Sequence, residues 1–153
     1  MTLPNLRHLQ AFHEVVLTGS ISAASVRMHL TQSAVTQAIA AIERYFGSSL
    51  FTRSSSGMHV TPAGAICADR VARALGQLRD GMQELGRSEL SAADREQLFR
   101  RVSGAQLGSL VKLVEFRNFT HAARASGVSQ PTMHRAARTL EQTVGATLFE
   151  KTS

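Results

Sequence analysis

Residues 31–47, TQSAVTQAIAAIERYFG, decide the fold of this chain. Thr31 is placed to cap a helix, because its side-chain oxygen accepts from an N–H two or three residues on. The helix that follows carries Val35, Ile39, Ile42 and Phe46 at spacings of four, three and four, which makes one apolar stripe. Gly47 supplies the left-handed residue that closes it. The opposite face of the first turns holds Gln32, Ser33, Thr36 and Gln37, all small or amide side chains that donate and accept. Such groups suit base edges and phosphates in the major groove of a duplex.

The arrangement returns 98 residues later as residues 129–145, SQPTMHRAARTLEQTVG. From Leu107 onward the two halves keep this constant offset. Val16/Val114, Ala24/Ala122, Gln32/Gln130, Ala38/Ala136, Glu43/Glu141, Gly47/Gly145, Leu50/Leu148 and Phe51/Phe149 are identical pairs. Thr31/Ser129, Val35/Met133, Ile42/Leu140 and Arg53/Lys151 match in role. No insertion is needed, so the pattern reads as an internal duplication.

Upstream of the opening stretch, Leu6, Leu9, Phe12 and Val16 mark a first helix ended by Gly19. Ser22 can cap a short second helix reaching about His29, with Ala24 and Met28 facing inward. Small residues at Ala23, Ala24 and Ala38 let the helices cross closely. The result is a helix-turn-helix unit, whose second helix lies in the major groove. Downstream, Leu50, Phe51 and Arg53 predict a short strand, and Met58, His59 and Val60 its return, with Ser54, Ser55, Ser56 and Gly57 as the hairpin. A hairpin there is a wing, its apolar residues on the helices and its tip at the backbone or minor groove.

Thr61-Pro62 starts a long helix, Thr as cap and Pro in the first turn. Ala68, Val71, Leu75, Leu78, Met82 and Leu85 follow heptad spacing and predict a dimerisation seam, ending at Gly86. Residues 87–91 form a polar joint. Ser91 with Asp94 is a weak capping box opening another helical stretch, which Gly104 and Gly108 interrupt.

The net charge of +6 favours a polyanionic partner. Both halves of the duplication are basic: residues 1–61 hold four Arg against two Glu, and residues 91–153 nine basic against five acidic side chains. The segment between them balances. Cys67 is the sole cysteine, so neither an intramolecular disulfide nor a thiol metal cluster is expected, and a cytoplasmic setting fits. No apolar run approaches the length of a membrane span and no signal pattern opens the chain, so no membrane partner is expected. His8, His13, His29, His59, His121 and His134 show no metal spacing. No Ser/His/Asp set, paired carboxylates or phosphate-binding glycine loop occurs, so no enzyme, catalytic residue, metal or cofactor is expected.

Residues 19–64, GSISAASVRMHLTQSAVTQAIAAIERYFGSSLFTRSSSGMHVTPAG, resemble the N-terminal winged helix-turn-helix of the LysR-type transcriptional regulators. Residues 118–151, NFTHAARASGVSQPTMHRAARTLEQTVGATLFEK, resemble a second copy. The shared features are paired small residues, an SQP-type cap, an amphipathic recognition helix, E-x-x-x-G, L-F-x-R and T-P-A-G. Thr31 and Ser33 replace the usual Ser and Pro in the first copy. Ser56 stands where the wing usually carries Arg. The resemblance implies sequence-specific binding of double-stranded DNA as a homodimer, with the helix after T-P-A-G making the dimer contact. It also implies a small-molecule effector bound by a C-terminal domain absent here, so the chain reads as a fragment of a longer regulator or as a protein cut short.

The expectation is a mostly α fold with two tandem winged helix-turn-helix modules, residues 1–61 and 91–153. A linker and dimerisation segment, 62–90, joins them, and the second wing is cut short. Expected DNA-binding residues are Thr31, Gln32, Ser33, Thr36, Gln37, Arg53 and Ser54, then Ser129, Gln130, Pro131, His134, Arg135 and Lys151. The alternative is that only the first copy binds DNA and the second is a dimerisation or protein-docking module.

Overall fold

The computed structural model describes residues 4–55, 57–85 and 91–150. Ser56, Gly86, Lys151 and the joint at 87–90 lie outside them. The chain divides into two compact units, one over Pro4–Leu78 and one from Arg79 onward. No described helix is long and apolar enough to cross a membrane.

The first unit opens with α1 (Leu6–Thr18), α2 (Ile21–Met28) and α3 (Gln32–Phe46). Its hairpin is β1 (Phe51–Ser54) and β2 (Gly57–Val60). Phe12, Val15, Ala24, Val35 and Ile42 are almost wholly shielded from solvent and form its centre. Val15, not Val16, faces inward from α1, and Phe46 at the end of the expected α3 stripe is exposed. Ala38 takes its share of the buried face instead. Ser20, not Ser22, caps α2, accepting from the Ala23 N–H, and His29 closes that helix in a left-handed conformation (φ 54°). The α3 cap is as expected: Thr31 accepts from the Ala34 N–H at 3.2 Å, and Gly47 ends the helix at φ 65°.

The hairpin is antiparallel, with Phe51 opposite Val60 and Arg53 opposite Met58. Three contacts fix it to the helices. The Phe12 and Phe51 rings meet at 5.3 Å between centroids. The Met58 N–H donates to the Gly19 carbonyl at 2.9 Å. The Glu43 carboxylate accepts from the Leu50 and Phe51 N–H groups at 2.8 and 3.3 Å. Gly57 permits the second contact: its φ is +124°, and a Cβ would come within 2.8 Å of the Gly19 oxygen.

Helix α4 (Pro62–Leu85) follows, capped by Thr61, whose Oγ1 accepts from Gly64 at 2.9 Å. It runs so close to the strand entry that a Cβ at Gly64 would overlap the Leu50 carbonyl oxygen. Two residues of the expected dimer seam, Val71 and Leu75, are already buried within this chain. Ala68, Leu78 and Met82 are half-buried, and Leu85 is exposed. A heptad spacing describes any helix face packed against another surface, and here part of that face is used internally.

The second unit holds α5 (Ala92–Arg101), α6 (Gly104–Phe116), α7 (Phe119–Ser126) and α8 (Gln130–Val144). Ser91 caps α5 by accepting from the Asp94 N–H. Gly104 begins α6 instead of interrupting a helix. Ser103 and Gln106 exchange side-chain and backbone bonds across its first turn, a full capping box. Leu113, Ala122, Ala123, Met133 and Ala137 form the core, with Phe119 and Phe149 packed against it. The Arg79 guanidinium lies 4.3 Å over the Phe99 ring and pairs with Glu96 at 3.2 Å. Among the described residues no strand follows α8.

Candidate nucleic-acid interface

In the first unit the cap at Thr31 exposes the start of α3. Thr31, Gln32, Ser33, Thr36 and Gln37 are all exposed, as required of a face that meets a partner. They are not equally free. Thr31 and Ser33 share a hydroxyl contact at 2.9 Å. Thr36 donates to the Gln32 carbonyl at 2.8 Å, which leaves its oxygen to accept from outside. The Gln32 amide reaches Ser22 at 3.4 Å, a long bond that a better acceptor would displace.

Gln32, Thr36 and Arg53 come together on one open groove of about 310 Å³, with Gly19, Ser20, Ile21, Ser22, Gly57 and Met58. The recognition helix forms one wall, the wing strand another and the α1–α2 turn the floor. Ser33, Gln37 and Ser54 lie off this groove; the Ser54 hydroxyl meets the His59 ring at 3.0 Å. The sequence reading names Ser22 only as a helix cap and does not name Ser20, because a serine before an apolar run carries no other signal. Cys67 sits apart and buried, and burial pushes its thiol pKa up. It is therefore poorly suited to nucleophilic work.

The second unit repeats the helix ends and changes the surface between them. Ser129 caps α8, accepting from the Thr132 N–H at 3.3 Å, and Gly145 closes it at φ 71°. Glu141 accepts from Leu148 and Phe149 at 2.9 and 3.1 Å, as Glu43 does from Leu50 and Phe51. Gln130, Pro131 and Arg135 are exposed. His134 is different. Its ring lies flat on Phe119, centroids 3.9 Å apart and planes 5° from parallel, so one ring face is spent on packing. Phe149 meets Phe119 edge-on at 6.0 Å. Lys151, expected to contact phosphate, lies outside the described residues.

Both halves match known proteins. The family model described as bacterial regulatory helix-turn-helix protein, lysR family, matches residues 6–65 and again 105–153. The HTH-type transcriptional regulator GalR of Pseudomonas putida is 38% identical over 151 residues, covering 99% of this chain and 36% of GalR. The HTH-type transcriptional regulator TdcA of Escherichia coli is 37% identical over 83 residues, covering 54% of this chain and 27% of TdcA. The chain therefore spans well under half the length of either relative. Among solved structures, the BenM DBD in complex with catB site 1 DNA is similar, with a TM-score of 0.50 and 25% identity. That match covers 52% of this chain and 89% of the BenM chain.

Proposed function

The chain belongs to the lysR family of bacterial regulatory helix-turn-helix proteins, and from that membership we propose that it binds double-stranded DNA sequence-specifically as part of a transcriptional regulator. The observation that carries the reading is the groove where Gln32 and Thr36 of α3 meet Arg53 of the wing. Amide and hydroxyl groups at a recognition-helix start read base edges, and a cation at the groove wall fixes a phosphate. The reading is non-enzymatic and cytoplasmic, and names no cofactor.

The organisation we propose is two tandem winged helix-turn-helix modules joined by α4, with Ser129, Gln130, Pro131 and Arg135 as the second reading face. The alignment with GalR supports this, since it runs through both halves. We place a homodimer contact on α4, through Leu85 and the half-buried Ala68, Leu78 and Met82. Sedimentation of the chain as a monomer at micromolar concentration would remove that contact. A second reading makes the second unit a docking module, and it is favoured by Val111 and Val114, 56% and 65% exposed on α6.

Gln32→Ala tests the base-reading assignment. Binding to the cognate site should weaken by roughly 1–3 kcal/mol while binding to mixed-sequence DNA stays near that of the parent. Equal loss on both would remove Gln32 from the reading set.

A further inference from the structure

Arg138 stands exposed on α8, one turn beyond Arg135 and on the same side of the helix. Glu141, three residues further on, would be its natural ion-pair partner. One oxygen of that carboxylate, Oε1, is turned to the following segment, accepting from the Leu148 and Phe149 N–H groups at 2.9 and 3.1 Å. Among the described residues no carboxylate pairs with Arg138.

The constant offset places Arg138 at the position of Ala40 in the first unit. Ala40 lines a groove of about 220 Å³ together with Thr36, Ile39, Glu43, Arg53 and Met58. The first unit thus has a methyl group on the helix and takes its cation from the wing strand. In the second unit Phe119, His134 and Phe149 occupy the positions of Ile21, Thr36 and Phe51, and their rings pack on one another. There, among the described residues, a cation stands on the helix itself. A guanidinium with no protein acid, on the outer face of such a helix, matches the oxygens of a phosphate diester.

We propose that Arg138 is a phosphate-contacting residue of the second unit, gripping the DNA backbone from the helix. The assignment rests on the reading that this unit faces DNA. The place of Arg138 along α8 favours phosphate over base. It lies eight residues beyond Gln130, roughly 12 Å along the axis at 1.5 Å per residue. Recognition helices meet base edges with their N-terminal residues, and a side chain this far along stands at the edge of the groove.

The test is equilibrium binding of the full chain across a series of salt concentrations. One duplex of about 40 base pairs, roughly four helical turns, carries a site footprinted upstream of the chain's own gene, and another of equal length has mixed sequence. Arg138→Ala should weaken binding to both duplexes alike, by severalfold, and lower the salt slope by about 0.9 per chain bound. Arg138→Lys should keep the slope. Thermal melting should match the parent, because the side chain is exposed. Unchanged affinity and slope for Arg138→Ala would overturn the assignment, and so would a loss confined to the cognate duplex, which marks a base reader. A Gln130→Ala/Arg135→Ala variant separates the two levels. If it weakens binding and Arg138→Ala does not, the Arg138 assignment alone fails; if neither does, the second unit does not face DNA and both readings fall.

Discussion

The first unit keeps an open groove between recognition helix and wing, while in the second the equivalent positions are taken by packed rings. Around that difference the frames agree. Helices α3 and α8 each start at a hydroxyl cap and end at a left-handed glycine, and each uses one glutamate to hold two N–H groups of the following segment. The cap and the glycine satisfy groups that a helix end leaves unpaired, and the glutamate satisfies two part-buried N–H groups, so these positions serve the fold. The outward residues carry no such duty, and here the units diverge. The α3 face offers amides and hydroxyls, and the α8 face offers Arg135 and Arg138. One scaffold therefore supports two surfaces of different chemistry.

The largest test of this contrast lies in the cores. Phe12 is wholly buried against Phe51, whereas its counterpart Leu110 is half-buried and Phe149 packs on Phe119 instead. Phe12→Ala should cost about 3–5 kcal/mol of stability by the usual range for large-to-small core changes, and Leu110→Ala less than half of that. Chemical denaturation of the two variants measures both, and equal losses would break the contrast. A smaller effect sharpens the common frame. Glu43→Ala and Glu141→Ala each strand two N–H groups, and each should cost about 1–3 kcal/mol. A loss for Glu43 with none for Glu141 would show that the clamp matters only where a strand follows.

Many features satisfied within a few residues were legible in the sequence, although the α2 cap falls on Ser20 and not Ser22. Thr31, Ser129, Gly47 and Gly145 act where the pattern puts them, because a helix end is a local problem of unpaired backbone groups. The Ser103–Gln106 capping box was equally local, and reading Gly104 as an interruption hid it. Features that depend on a distant neighbour were not legible. The inward turn of Val15 in place of Val16, the Phe119–His134 stack and the burial of Val71 and Leu75 are set by what packs against each helix. Periodicity alone does not name that surface. For the candidate site, the spacing in the sequence puts the polar residues of α3 on the exposed side of that helix. Their meeting with Arg53 at a groove floored by Ser20 and Ser22 depends on the wing being fastened to the helices by the Met58 N–H on the Gly19 carbonyl, a contact between residues far apart in sequence.

We propose that both units read DNA, with different chemistry. A footprint of the intact chain beside the Gln130→Ala/Arg135→Ala variant tests it most directly. If α8 contributes a second reading face, the variant protects a shorter stretch than the parent while the part protected through Gln32 and Arg53 remains. An unchanged footprint with unchanged affinity would contradict the claim and leave the second unit as a docking or dimerisation module.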